Sequence, residues 1–201
     1  ITYWALTKEL PVDWLLNYRG GSFLVPHSTL IQNECMIRNV SFEVISDAQV
    51  NQLFEEIASP SSNMDVMKLE QHPKIAVYSP KSKQPWDDAV TLVLSYAEIP
   101  YEIIFDDEIM YNELIRYDWL HLHHEDFTGQ YGRFYKNYKH MPWYQQQQTE
   151  FEASAQKHGY GKVSLLKLNI AKRIKSYVAS GGFLFAMCSA TDTYDIALAA
   201  E

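Results

Sequence analysis

Cysteine is scarce in this chain. Cys35 and Cys188 are the only two, so at most one disulfide can form and a small fold stapled by several bridges is excluded. Long apolar runs are missing too: no stretch approaches the ~20 residues a bilayer-spanning helix needs, so no transmembrane segment is predicted. Residues 1–6 carry neither a charged leader nor a cleavage site. Positive charge is in short supply. The 17 basic residues face 25 acidic ones, and a net charge of -8 repels phosphate backbones, which argues against a nucleic-acid partner. There is no initiator Met, and 195–201 reads as the first turns of a helix with no stop signal. The chain is therefore expected to be part of a longer protein, truncated at its C-terminus.

What is present is the composition of a folded globular protein, 47% hydrophobic and 21% charged over 201 residues, enough for one sizeable core or two small lobes. Strand and helix patterns alternate. Extended segments at 12–18 and 22–25 flank the Gly20-Gly21 turn, and a helix is expected at 28–38. Residues 41–45 alternate as a half-buried strand does. Ser46 with Gln49 three positions on forms a capping-box start for a helix to about residue 57. The turn-rich 59–63 and the polar residues up to Pro73 mark a lobe boundary, giving an N-terminal α/β lobe at 1–70 and a second lobe at 71–201.

In the second lobe, strands are expected at 74–78, 101–105, 118–123 and 183–187. Helices are expected at 86–97, 108–115, 143–158 and 163–179, the last ended by Gly181-Gly182. This order calls for an open, mostly parallel sheet with helices on both faces. An insertion at 125–161 interrupts it and is too long for a simple connection.

The strongest chemical signal is FLFAMCSATD at 183–192, an apolar strand that runs into Cys188 and then directly into a helix. A nucleophile elbow requires small residues two before and two after the nucleophile, and these are Ala186 and Ala190. A helix start favours a thiolate through its unpaired N–H groups and its macrodipole. The backbone N–H groups of Cys188 and Ser189 are then candidates to hold an oxyanion. The alternative is a small buried cysteine that merely ends a strand. No His or acid after Cys188 completes a triad within this chain.

The second signal, HLHHED at 121–126, closes a strand at the expected carboxyl edge of the sheet, where open α/β folds place ligands. His121, His123, His124 and Asp126 offer donors for a divalent metal, the one cofactor the residues suggest. His123 and Glu125 are candidates for proton transfer. Equally, these side chains can cap strand ends and anchor the insertion. The loop SPKSKQP at 79–85 presents Lys81 and Lys83 at a helix start but has no glycine, unlike a phosphate cradle. Arg19 offers a guanidinium to a carboxylate or belongs only to a turn. In the insertion, Tyr131, Phe134, Tyr135, Tyr138, Trp143 and Tyr144 interleave with Arg133, Lys136, Lys139 and His140. Such a surface stacks on sugars, bases or a partner chain, or packs the insertion onto the core.

Four segments, LLNYRGGSF at 15–23, KIAVYSPKSKQPWDD at 74–88, WLHLHHEDFTG at 119–129 and FLFAMCSATD at 183–192, resemble a bacterial family labelled asparagine synthetase B. The resemblance runs over the whole chain. It implies a flavodoxin-like sheet of the class I glutamine amidotransferase-like group, with Cys188 at the elbow position and the triad partners further downstream. It also implies an exported protein, periplasmic or associated with the outer envelope. The Ser-Gly-Gly-x-Asp loop that binds ATP pyrophosphate in asparagine synthetases has no counterpart: Ser180-Gly181-Gly182 lacks the Asp and precedes its strand. The function expected is a Cys-dependent amide or ester hydrolase acting on a small molecule or glycan. The alternative is a non-catalytic binding or assembly module of the cell envelope.

Overall fold

The structure, a computed structural model, describes residues 1–80, 89–122 and 134–200. The chain divides into two compact units, Ile1–His72 and Pro73–Glu201.

The first unit contains α1 (Thr2–Thr7), β1 (Val12–Leu16), β2 (Ser22–Leu24), α2 (Thr29–Ile37), α3 (Asp47–Ile57) and β3 (Asp65–Leu69). Its three strands form an antiparallel sheet in the order β2-β1-β3. The β1–β2 reversal places Asn17, Arg19, Gly20 and Gly21 at positive φ, which the two glycines adopt without steric cost. Leu15 packs with Leu53 and Ile57 of α3 beneath the sheet. The helix α3 begins in the expected capping box: the Ser46 N–H donates to Gln49 Oε1 at 2.8 Å and the Gln49 N–H to Ser46 Oγ at 3.4 Å. Two expectations are corrected here. Residues 41–45 form no strand, because alternation alone supplies no partner: Phe42 and Val44 are exposed and only Ile45 reaches the α3 cluster. Conversely, the polar stretch before Pro73 holds β3, which is paired to β1 along its whole length.

The second unit runs β4 (Ile75–Tyr78), α4 (Ala89–Tyr96), β5 (Tyr101–Ile104), α5 (Asp106–Met110), β6 (Trp119–Leu122), α6 (Tyr135–Tyr138), α7 (Pro142–Lys157), α8 (Val163–Ala179), β7 (Phe183–Ala186) and α9 (Ser189–Ala199). The helix expected at 108–115 is broken in two. Asn112 takes a left-handed conformation, and a 3-10 turn (Glu113–Arg116) follows. The four strands are all parallel, in the order β5-β4-β6-β7, and helices flank them. This is the open α/β sheet that the alternating pattern requires. The chain proceeds from β4 to one side and then returns to the other, so the order reverses between β4 and β6, the place where such sheets leave a crevice at their carboxyl ends.

Period-two alternation divides the strand residues between two faces. Ala76, Tyr78, Ile104, Leu120 and Leu122 enter the main core together with Phe151 and Ala155 of α7, Leu166, Ile170 and Ile174 of α8, and Ala190 of α9. On the other face Ile75, Val77 and His121 are buried, while Ile103, Phe183 and Phe185 are 59%, 59% and 38% exposed.

Candidate active site

Between β7 and α9 the direction of the chain must change within two residues. The change is made at Cys188, which has φ 55 and ψ -141 and is the N-cap of α9. A residue with a Cβ avoids this region, and one held there, at a cost of order 1–3 kcal/mol, persists only where the surroundings impose it. They do so from both sides. Before the bend, β7 is paired to β6 through all four of its residues. After it, Ala190 is fully buried against the main core, and the Thr191 N–H donates to the Cys188 carbonyl at 3.2 Å. A larger side chain at position 190 would meet that core, which is the reason an elbow requires a small residue there.

Cys188 is a free, exposed thiol, whereas Cys35 is free and buried. The bend therefore presents its sulfur outward at the carboxyl edge of the sheet. The alternative of a buried cysteine ending a strand does not describe position 188; the buried cysteine is Cys35, within the helix α2.

The strand next to β7 is β6, and Leu122 is in register with Ala186. His123, His124, Glu125 and Asp126 follow Leu122 directly in sequence and lie outside the described residues, as do Lys81 and Lys83. Of the histidine cluster, His121 alone is described. It is fully buried, with Nδ1 3.1 Å from the Phe185 carbonyl oxygen and its ring tilted on the Phe185 ring at 5.6 Å. Its imidazole thus ties β6 to β7 just before the elbow. Among the described residues no group of three or more His, Cys, Asp or Glu side chains gathers where a metal ion could be held. Arg19 has a carboxylate partner within the chain, Glu43 at 3.3 Å.

Two polar constellations were not anticipated. In the main core the buried Lys167 ammonium donates to Asp106 Oδ1 at 2.6 Å and to the Tyr78 hydroxyl at 2.8 Å. Tyr78 and Ser154 donate to the same carboxylate. The ammonium also lies 4.1 Å from the Phe105 ring centroid and 4.8 Å from that of Phe151. The signal was available: Val163, Leu166, Lys167, Ile170, Ala171 and Ile174 make one helical stripe, and Lys167 is its single charge. The second constellation joins helix ends. His158 Nε2 and Lys157 Nζ each lie 2.7 Å from an oxygen of Asp107. Partial burial works to raise this carboxyl, but the hydrogen bonds from Lys157 and His158 outweigh it and hold Asp107 below its ordinary value. This pair begins beyond β5, at the opposite edge of the sheet. With neighbouring strands ~4.8 Å apart, three strand spacings, about 14 Å, separate the end of β5 from the end of β7, and the carboxylate of this pair is occupied by Lys157 and His158.

Comparison with models of known families, with curated proteins and with solved structures gives no match to this chain.

Proposed function

We propose that the second unit is a class I glutamine amidotransferase-like domain, of the family labelled asparagine synthetase B, in which Cys188 is the nucleophile of an amide or ester hydrolysis. The observation that carries this reading is an exposed thiol held at φ 55 where a parallel strand turns into a helix. A merely structural cysteine has no need of a strained, solvent-facing position. In the proposed reaction the thiolate attacks the carbonyl carbon and forms a C–S bond, and the carbonyl electron pair moves to oxygen. The N–H groups of Cys188 and Ser189 are assigned to that oxyanion. Collapse restores the carbonyl and expels the amine or alcohol with a proton. Water then hydrolyses the thioester to the acid and returns the thiol. His123 and Glu125, one and three positions past the end of β6, are assigned to proton transfer.

A second reading, a non-catalytic binding or assembly module of the cell envelope, draws on the exposed Phe183 and Phe185, two positions apart on one face of the edge strand β7, since large exposed apolar side chains gathered on one face mark interaction surfaces. Ammonia release from glutamine and hydrolysis of an activated ester, compared between wild type and Cys188→Ala, separate the two. Turnover by wild type that falls to background in the variant is expected for the enzyme, and no turnover by either is expected for the module. Iodoacetamide should modify Cys188 faster than Cys35 in the folded protein; equal, slow labelling of both removes the nucleophile.

A further inference from the structure

A second feature is independent of Cys188. Every residue from 135 to 142 is exposed, so α6 and the turn after it lie at the surface. Aromatic rings of this segment and of the residues flanking it pack on one another. Phe134 and Tyr138 lie edge-on at 5.3 Å, Tyr138 is tilted on Trp143 at 5.5 Å, and Trp143 lies edge-on to Tyr144 at 5.6 Å. Tyr144 is fully buried and anchors the group. Pro142 at the start of α7 adds a fixed φ where the helix leaves this segment. The segment is thus ordered before any partner arrives, which lowers the entropic cost of docking.

Its chemistry is segregated from that of the rest of the chain. Residues 134–149 contain Lys136, Lys139 and His140 and no Asp or Glu, in a sequence of net charge -8. Tyr135 and Tyr138, three apart on α6, share one side and are 52% and 37% exposed, with Met141 at 44% beside them. Lys139 extends over the Tyr135 ring, its ammonium 5.5 Å from the centroid. Tyrosines carrying an apolar body and a polar tip, flanked by lysines on long aliphatic stems, are the side chains that settle at the headgroup level of a bilayer.

We propose that residues 135–141 dock the protein peripherally on an anionic lipid surface, the lysines meeting the headgroups and Tyr135, Tyr138 and Met141 entering the interface. Among the described residues no helix is long and apolar enough to cross a membrane, so the contact would be one of surface attachment.

The test is flotation of the full chain with vesicles of phosphatidylcholine alone and of phosphatidylcholine with one part in three phosphatidylglycerol, using wild type, Lys136→Gln/Lys139→Gln and Tyr135→Ser/Tyr138→Ser. All four positions are exposed, and thermal melts of both variants check that the fold is kept. Wild type should float with the anionic vesicles and be released by salt. The lysine variant should bind about 30-fold more weakly, from the loss of two charges near the surface, and the tyrosine variant should be weakened even at low salt. Absence of wild-type binding to anionic vesicles, or equal binding by wild type and the lysine variant, overturns the proposal. So does lysine-dependent binding to a soluble polyuronic acid with none to vesicles, which would make the ligand a glycan.

Discussion

An ammonium group moved from water into a protein core without a partner costs several kcal/mol, and even a paired one repays that cost only when its geometry is good. Lys167 meets the condition through Asp106 and Tyr78, within an aromatic surround. Lys167→Met should therefore lower stability by about 3–5 kcal/mol, because it leaves Asp106 buried and uncompensated. The double variant Lys167→Met/Asp106→Asn should recover part of the loss, since Tyr78 and Ser154 can still bond the amide. Urea melts of the two variants check this, and a double variant no more stable than the single one would count against a charge effect. Position 188, by contrast, holds a strained residue. If φ 55 is strained for a Cβ-bearing residue, Cys188→Gly should raise the melting temperature relative to Cys188→Ala, by the few degrees that about 1 kcal/mol represents. Equal melting temperatures would remove the strain on which the elbow argument rests.

Asp107 does its work between elements, in the first turn of α5, where it receives Lys157 and His158 from the end of α7. Each partner complements the dipole of the helix end it occupies. The sign of the pH dependence follows from the depressed carboxyl. Its contribution is complete above the unfolded value of about 3.9 and disappears as pH falls through the lower folded value. Asp107→Asn should accordingly be less stable than wild type at neutral pH, with the difference closing on acidification below about pH 4. Urea midpoints at neutral pH and in acid measure this, and a gap that persists unchanged in acid refutes it. A second contact between elements depends on the absence of a side chain. A Cβ at Gly182 would fall 2.2 Å from Tyr177 Cζ, so the glycine that ends α8 also lets the Tyr177 ring lie over the start of β7. Burial, aided by the nearby Asp118 carboxylate, pushes the Tyr177 hydroxyl up to about 12.

For the whole molecule, the parallel sheet of the second unit was legible because buried strands such as 75–78 and 119–122 read as short apolar runs between helical periods. The α8 helix was legible to the residue, since its stripe is long and Gly181-Gly182 stops it. The antiparallel sheet of the first unit was less so. Its strand β3 is half exposed and gains its identity from pairing with β1, a partner about fifty residues away that no local pattern names. The elbow was legible as a spacing of small residues around Cys188. The exposure of that thiol and the left-handed backbone beneath it were not, because both arise from where β6 and the main core hold the two ends of the bend. Sequence alone determined which segments alternate, where helices begin and which residues bear chemistry, all of these being short-range properties of the chain. Tertiary structure alone decided that Lys167 meets Asp106, that His121 braces β7 and that His158 lies with Asp107 rather than Cys188. Each of those pairings joins residues dozens of positions apart, and only the packed strands and helices bring them within hydrogen-bonding distance.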